Sequence, residues 1–209
     1  MNSILTECGI LDKSDIPLLK FLIKQLEKEG YFVVFEGADN LGKTTVAKIV
    51  CERLGFKYMK FPNPDLYSGQ ILRKILQKKL PFEPASFQAL NIVDRIFTSM
   101  SGNVIIDRYI DSGKVYGESD GLPSEWVDQL NSILLQPDLV FVFTGEPFTT
   151  DNEHYDNSEK VVAGYRKLLE DHKCDPRYVE IRANRAIEEV VDEIIKIINE
   201  RTAVIAGLE

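Results

Sequence analysis

The chain has 209 residues, with 25 Lys and Arg against 33 Asp and Glu and a net charge of -8, which excludes the broad cationic face that sequence-blind nucleic-acid binding needs. A compact chain of this length buries on the order of 70% of its unfolded surface, so one domain can hold together without disulfides or metals. The cysteines, Cys8, Cys51 and Cys174, form no CxxC pair, no apolar run approaches the ~20 residues that span a bilayer, and no signal-peptide pattern opens the chain, all of which fit a soluble protein of a reducing cytoplasm.

In chain order, the first predicted element is a helix capped by Ser14 or Asp15, with Pro17 near its first turn and an apolar face of Leu18, Leu19, Leu22, Ile23 and Leu26 that ends at Gly30. Residues 1–30 are therefore expected to be a helical extension docked on a domain spanning 31–209. Five short apolar segments follow, at 31–36, 56–61, 103–108, 138–143 and 177–182, alternating with helical stretches at 43–54, 68–79, 83–100, 124–135, 158–173 and 186–201. This alternation predicts an α/β fold of three layers: a five-stranded parallel sheet flanked by helices, plus the extra N-terminal helix. The last stretch repeats Ile187, Val190, Val191, Ile194, Ile195 and Ile198 at helical spacing, which marks a core-facing stripe.

Chemistry first shows in GADNLGKT, which fits GxxxxGK[ST] at each fixed position and sits between a predicted strand and a predicted helix. Gly37 and Gly42 let the backbone curl so that its N–H groups point at phosphate oxygens, and the helix N-terminus adds partial positive charge. Lys43 would reach the terminal phosphates and the Thr44 hydroxyl would ligate magnesium. In NVIIDR, Asp107 ends an apolar strand where a magnesium-organising carboxylate would stand, with Arg108 facing the same crevice. A strand-terminal Asp-Arg pair can also be a plain surface ion pair; the phosphate loop favours the site.

Taken in order, FEGADNLGKTT, FPNP, DRYIDSGKVYG, QPDLVFVF and EHYDNSEKVVAGYRKL resemble the thymidylate kinase family, in a form closer to its eukaryotic and viral members than to the common bacterial ones. The resemblance runs from Tyr31 to Arg201. It implies the P-loop nucleoside monophosphate kinase fold and magnesium-dependent transfer of the ATP γ-phosphate to the 5'-phosphate of a pyrimidine deoxynucleotide, dTMP first, giving dTDP. It also implies roles. Gly37, Ala38, Asp39, Asn40, Leu41, Gly42, Lys43, Thr44 and Thr45 would hold ATP, with Arg185 in the Ala183–Arg185 turn against the adenine, or else in an ordinary strand-to-helix turn. Asp39 would lie near the acceptor sugar and reacting phosphates, Arg108 would grip the acceptor phosphate, and Phe61 of FPNP would line the acceptor side. Arg95 would reach the acceptor base, or else be a solvated helix residue paired with Asp94. Tyr116 would stand beside the sugar, or simply pack. Lys43, Asp39, Asp107 and Arg108 form the implied catalytic set, and Thr44 and Asp107 the metal pair.

Four departures concern charge and stacking. Asn40 replaces a basic residue at the loop tip, and the lid segment GEPFTTDNEHYDN carries no Arg or Lys before Lys160. FPNP has Pro64 where relatives have an arginine, which leaves Lys60 or Arg73 to compensate. Asn91, four residues before Arg95, replaces a phenylalanine that stacks on thymine, and its amide offers hydrogen bonds instead. A cation on the transferring phosphate is worth roughly 10³ to 10⁵ in rate, so a substitute is expected: Lys114, Lys160 or Arg166, with Lys114 preferred for its place in the DRYIDSGK turn, where it can equally be an exposed turn lysine. The helix after Arg95 is expected to be short, so a homodimer would use altered surfaces, for which the extra N-terminal helix is a candidate. Besides a dTMP kinase, the residues allow a kinase for a 5-modified dUMP such as 5-hydroxymethyl-dUMP, a nucleotide-binding protein with lost or weak activity, and a kinase acting on a base within DNA; the last is disfavoured by the acidic charge.

Overall fold

The chain was analysed as a computed structural model that describes residues 30–98, 100–148 and 159–205. The helix expected within residues 1–30 lies outside the described residues, as does most of the lid segment.

At the centre is β1 (Phe32–Gly37), buried along its whole length. The sheet is completed by β2 (Lys57–Lys60), β3 (Val104–Asp107), β4 (Leu139–Thr144) and β5 (Tyr178–Arg182). The order is β2-β3-β1-β4-β5, and each neighbouring pair is parallel. Each strand falls within one residue of its predicted segment, because strands covered on both faces read as near-continuous apolar runs. In the core, the Phe35 ring packs against Phe141 at 5.5 Å and Phe143 at 5.2 Å; burying each such side chain contributes about 1.5–3 kcal/mol.

Seven helices occur among the described residues: α1 (Lys43–Leu54), α2 (Tyr67–Leu76), α3 (Pro84–Phe97), α4 (Ile110–Ser119), α5 (Ser124–Asn131), α6 (Glu159–Asp171) and α7 (Ile187–Ile205). α1 and α7 pack on each other, while α3, α5 and α6 each pack on α4. Side chains alternate across a strand. Thus Phe32 and Glu36 of β1 meet Tyr109 and Ser112 at the start of α4, while Asp107 leaves β3 toward Thr44 of α1. Helices therefore cover both faces.

Helix α4 is absent from the sequence expectation. Its sequence, IDSGKVYGES, contains two glycines and two serines, all poor formers of a helix interior. Packing overrides propensity here: a Cβ on Gly113 would lie 2.9 Å from an Arg95 guanidinium nitrogen, so α4 approaches α3 only with a side chain this small. Helices α2, α3 and α5 end before their expected limits. α3 stops at Phe97, two residues beyond Arg95, because Thr98 turns to extended backbone.

β1 has β3 on one side and β4 on the other, while the chain runs from β1 out to β2 and back to β3. The carboxyl ends of β1, β3 and β4 thus flank a topological switch point, where open α/β sheets bind ligands.

Candidate active site

The phosphate loop links β1 to α1 at this switch point. Gly37 has φ 132°, and a Cβ there would sit 2.5 Å from the Phe143 carbonyl oxygen; no other residue fits. Asn40 has φ 59°, in the left-handed region that Asn tolerates better than most side chains. The odd tip residue thus has a backbone reason. Its carbonyl accepts a hydrogen bond from the Phe148 N–H at 2.9 Å, which brings Phe148 beside the loop. Lys43 opens α1 and folds back so that its ammonium donates to the Ala38 carbonyl. Burial, then the Arg108 charge, pushes Lys43 down to about 7, against the pull of Asp107, Asp39 and Glu36. A phosphate in the cradle would add the anion that restores its charge.

Asp39, Asn40, Leu41, Gly42, Lys43, Thr44, Thr45, Lys60, Asp107, Arg108 and Phe148 line a cleft of about 330 Å³. On one wall the Thr44 hydroxyl donates to Asp107 Oδ2 at 2.5 Å. The Tyr58 hydroxyl donates to the same oxygen at 3.2 Å, and Lys60 Nζ stands 3.4 Å from it. Burial favours a protonated Asp107, but the charges of Lys60, Lys43 and Arg108 outweigh it and hold the carboxyl below the usual range. Asp107 Oδ1 is buried with no hydrogen-bond partner. An orphaned, ionised carboxylate oxygen beside a threonine hydroxyl fits a divalent cation. Among the described residues no set of three or more His, Cys, Asp or Glu could cage one.

On the other wall, Arg108 Nη2 donates to Asp39 Oδ1 at 2.5 Å, and its guanidinium lies 5.3 Å over the Tyr116 ring. The Tyr116 hydroxyl reaches Asp39 Oδ2 at 3.5 Å. Arg108 has φ 72°, an uncommon conformation for a side chain of this size and one that concentrates at functional sites. It is held by Arg108 N–H donating to the Phe35 carbonyl at 3.0 Å and by a buried carboxylate beneath it. Glu36 accepts from Tyr109 N–H at 2.9 Å, from Ser112 N–H at 3.1 Å and from the Ser112 hydroxyl. The sequence reading assigned Glu36 nothing. The available signal was a carboxylate one residue from the end of a fully apolar strand, where a buried charge must be paired.

Phe61, Asn91, Arg95 and Tyr116 are buried and do not line this cleft. Asn91 Nδ2 donates to the Phe87 carbonyl at 2.9 Å. Arg95 is not a solvated partner of Asp94. It is buried, with Nη1 donating to Asn131 Oδ1 at 3.1 Å, its guanidinium 5.6 Å over the Tyr109 ring and Nε without a partner. Asp94 instead accepts from Asn63 N–H at 2.8 Å and from the Ser68 hydroxyl at 2.7 Å, fixing the loop after β2 to α3. Arg73 turns its guanidinium onto the Pro62 carbonyl at 3.0 Å. Arg185 sits on an exposed turn, paired with Glu193.

The preferred substitute cation is corrected. Lys114 pairs with Asp128 at 2.9 Å across α4 and α5 and is not on the cleft wall, because its place in α4 turns it toward α5. Lys60 is on the wall.

A parallel sheet of this order, with a glycine loop, lysine and threonine at its switch point and an Asp-Arg pair on the adjacent strand, defines a P-loop kinase. The chain belongs to the thymidylate kinase family: the family model described as Thymidylate kinase matches residues 35–194. A relative from Staphylococcus epidermidis, named thymidylate kinase, is 31% identical over 192 residues, covering 78% of this chain and 94% of its own. A viral relative named for the same enzyme, from Invertebrate iridescent virus 6, is 30% identical over 174 residues, covering 73% and 82%. The solved thymidylate kinase of Candida albicans superposes with a TM-score of 0.66 at 23% identity, covering 83% of this chain and 93% of that one, a likeness of fold.

Proposed function

We propose that this chain is a dTMP kinase that transfers the γ-phosphate of ATP to the 5'-phosphate of dTMP, giving dTDP and ADP. The observation that carries this reading is the convergence of Lys43, Thr44, Asp107 and Arg108 on one cleft of about 330 Å³ within a chain of the thymidylate kinase family.

In this reading the backbone of residues 37–45 cradles the ATP phosphates, and Lys43 holds the terminal ones. Thr44 and Asp107 hold Mg²⁺, which when bound neutralises charge on the β- and γ-phosphates. Arg108 grips the acceptor phosphate once Asp39 releases it or shares it, and Tyr116 packs beside the sugar. Arg95, whose buried Nε has no partner, reaches toward the acceptor base with Asn91, while Phe61 backs the acceptor side and Arg185 flanks the adenine. Positioning and charge neutralisation do nearly all of the catalytic work in such a transfer. The domain spans 31–209, with residues 1–30 as an extension.

The setting is cytoplasmic, without a nucleic-acid or membrane partner. Among the described residues no helix is long and apolar enough to cross a membrane. A second copy of the chain docks along α3, where Leu90, Val93 and Phe97 form an outward stripe and the last two are 42% and 46% exposed.

Coupled measurement of ADP release across dTMP, dUMP, 5-hydroxymethyl-dUMP and dCMP tests the assignment. The highest kcat/KM is expected for dTMP. A preference for the hydroxymethyl acceptor would move the assignment to that nucleotide, and silence with each acceptor alongside tight ATP binding would leave a binding protein.

A further inference from the structure

The cleft contains a cation that the phosphate-loop motif does not account for. Lys60 is the last residue of β2 and is the register partner of Asp107 on β3, so both side chains leave the sheet on the face where Thr44 opens α1. Its Nζ lies 3.2 Å from Thr44 Oγ1 and 3.4 Å from Asp107 Oδ2. The side chain is 40% exposed while Asp107 is 1% exposed. The ammonium therefore stands at the mouth of the site, between the buried carboxylate and anything seated in the cleft.

The other candidates for this charge are committed elsewhere or lie off the cleft wall, as the exposed Lys160 and Arg166 of α6 do. Asn40 is neutral, residues 145–159 contain no Lys or Arg, Lys114 is paired with Asp128 and Arg73 is turned onto a backbone carbonyl. Among the described residues, Lys43, Lys60 and Arg108 are the cationic side chains on the cleft wall. Lys43 belongs to the ATP phosphates and Arg108 is engaged by Asp39. Lysine is a compact point charge on a four-carbon stem, so a small swing carries Nζ from the Thr44–Asp107 corner to a phosphate beside it.

We propose that Lys60 is a catalytic residue that neutralises the transferring phosphate, resting on the dTMP kinase reading above. As the bond from the γ-phosphorus to the β-bridging oxygen breaks and the bond to an acceptor phosphate oxygen forms, the Lys60 ammonium donates hydrogen bonds to the moving group. The same geometry makes Lys60 a competitor of the divalent cation, since both are drawn to Thr44 Oγ1 and Asp107 Oδ2.

The test compares wild type with Lys60→Met and Lys60→Arg. Lys60→Met is expected to lower kcat by at least about 10²-fold, the scale of a lost transition-state donor, with KM for ATP within a few-fold and cooperative unfolding retained at a somewhat lower Tm, since Asp107 loses a charge that holds it ionised. Lys60→Arg is expected to restore kcat to within about tenfold of wild type, since it returns the charge. Titration of Mn²⁺ into the protein without added nucleotide, followed by electron paramagnetic resonance, is expected to show tighter binding to Lys60→Met than to wild type. A wild-type kcat for Lys60→Met, or a change confined to KM for dTMP, overturns the proposal; the latter makes Lys60 an acceptor-phosphate ligand. Unchanged Mn²⁺ affinity overturns the competition. Absence of turnover in the wild type itself would instead remove the dTMP kinase reading.

Discussion

Arg108 and Asp39 are joined by an ion pair, Nη2 to Oδ1 at 2.5 Å, across 69 residues of sequence. The pair ties the phosphate loop to the end of β3, and it preorganises the guanidinium that we assign to the acceptor phosphate. Each charge-assisted hydrogen bond is worth about 1.5–3 kcal/mol, so Arg108→Ala is expected to raise KM for dTMP roughly 10- to 100-fold with KM for ATP little changed. Because Arg108 sits at φ 72°, Arg108→Gly should match that kinetic loss yet melt a few degrees above Arg108→Ala, since glycine removes about 1 kcal/mol of backbone strain. Equal melting temperatures would show that the backbone there is unstrained.

Glu36 is fully buried and accepts from two backbone N–H groups and the Ser112 hydroxyl. Glu36→Gln replaces one acceptor oxygen with a donor facing another donor. The expected cost is about 2–3 kcal/mol, a fall of roughly 4–10 °C in Tm. KM for dTMP should rise more than KM for ATP, because the released elements carry Arg108 and Tyr116. An unchanged Tm would mean that Glu36 does not anchor α4.

Asp111 supplies a pH dependence. Burial, and then the charge of Glu36, pushes its carboxyl up to about 7; the Tyr178 hydroxyl, Lys114 and Arg95 pull it down, and Arg177 also faces it. The folded value lies above the unfolded one, so between about pH 4 and pH 7 the native state holds a proton that the unfolded state has lost. Stability is then lost as pH rises through that window. The urea midpoint of the wild type should fall from pH 5 to pH 8, and Asp111→Asn should flatten that fall by at least about 1 kcal/mol. Parallel curves for the two proteins would remove Asp111 as the cause.

Assembly is tested at α3. Val93 is 42% exposed on its outward stripe, and Val93→Glu places a charge where a second copy would bury an apolar side chain. Sedimentation equilibrium is expected to show a dimer for wild type and a shift toward monomer for the variant. A wild-type monomer, or a variant as dimeric as wild type, contradicts docking through this stripe.

The sheet was legible because buried parallel strands leave apolar runs, and the phosphate loop because its chemistry is local to eight residues from Gly37 to Thr44. What was hidden depended on long-range packing. α4 was hidden because Gly113, a helix breaker by propensity, is required by the Arg95 guanidinium against it. Glu36 was hidden because its partners lie 73 and 76 residues away. Lys114 was read as the cation for the transferring phosphate and Lys60 only as a substitute in the acceptor loop, because the register of Lys60 with Asp107 and the pairing of Lys114 with Asp128 are set by contacts distant in sequence. Asn40 looked like a lost charge, and its φ of 59° supplies a second, conformational reason for the choice.

The most direct test of the central claim follows the phosphate itself. With γ-³²P-labelled ATP, Mg²⁺ and dTMP, the wild type is expected to place label on the β-phosphate of dTDP, Lys43→Ala and Asp107→Ala to place almost none, and all three proteins to keep cooperative unfolding. Label that never reaches dTDP in the wild type, or an Asp107→Ala variant that transfers it at a near-normal rate, would contradict the assignment.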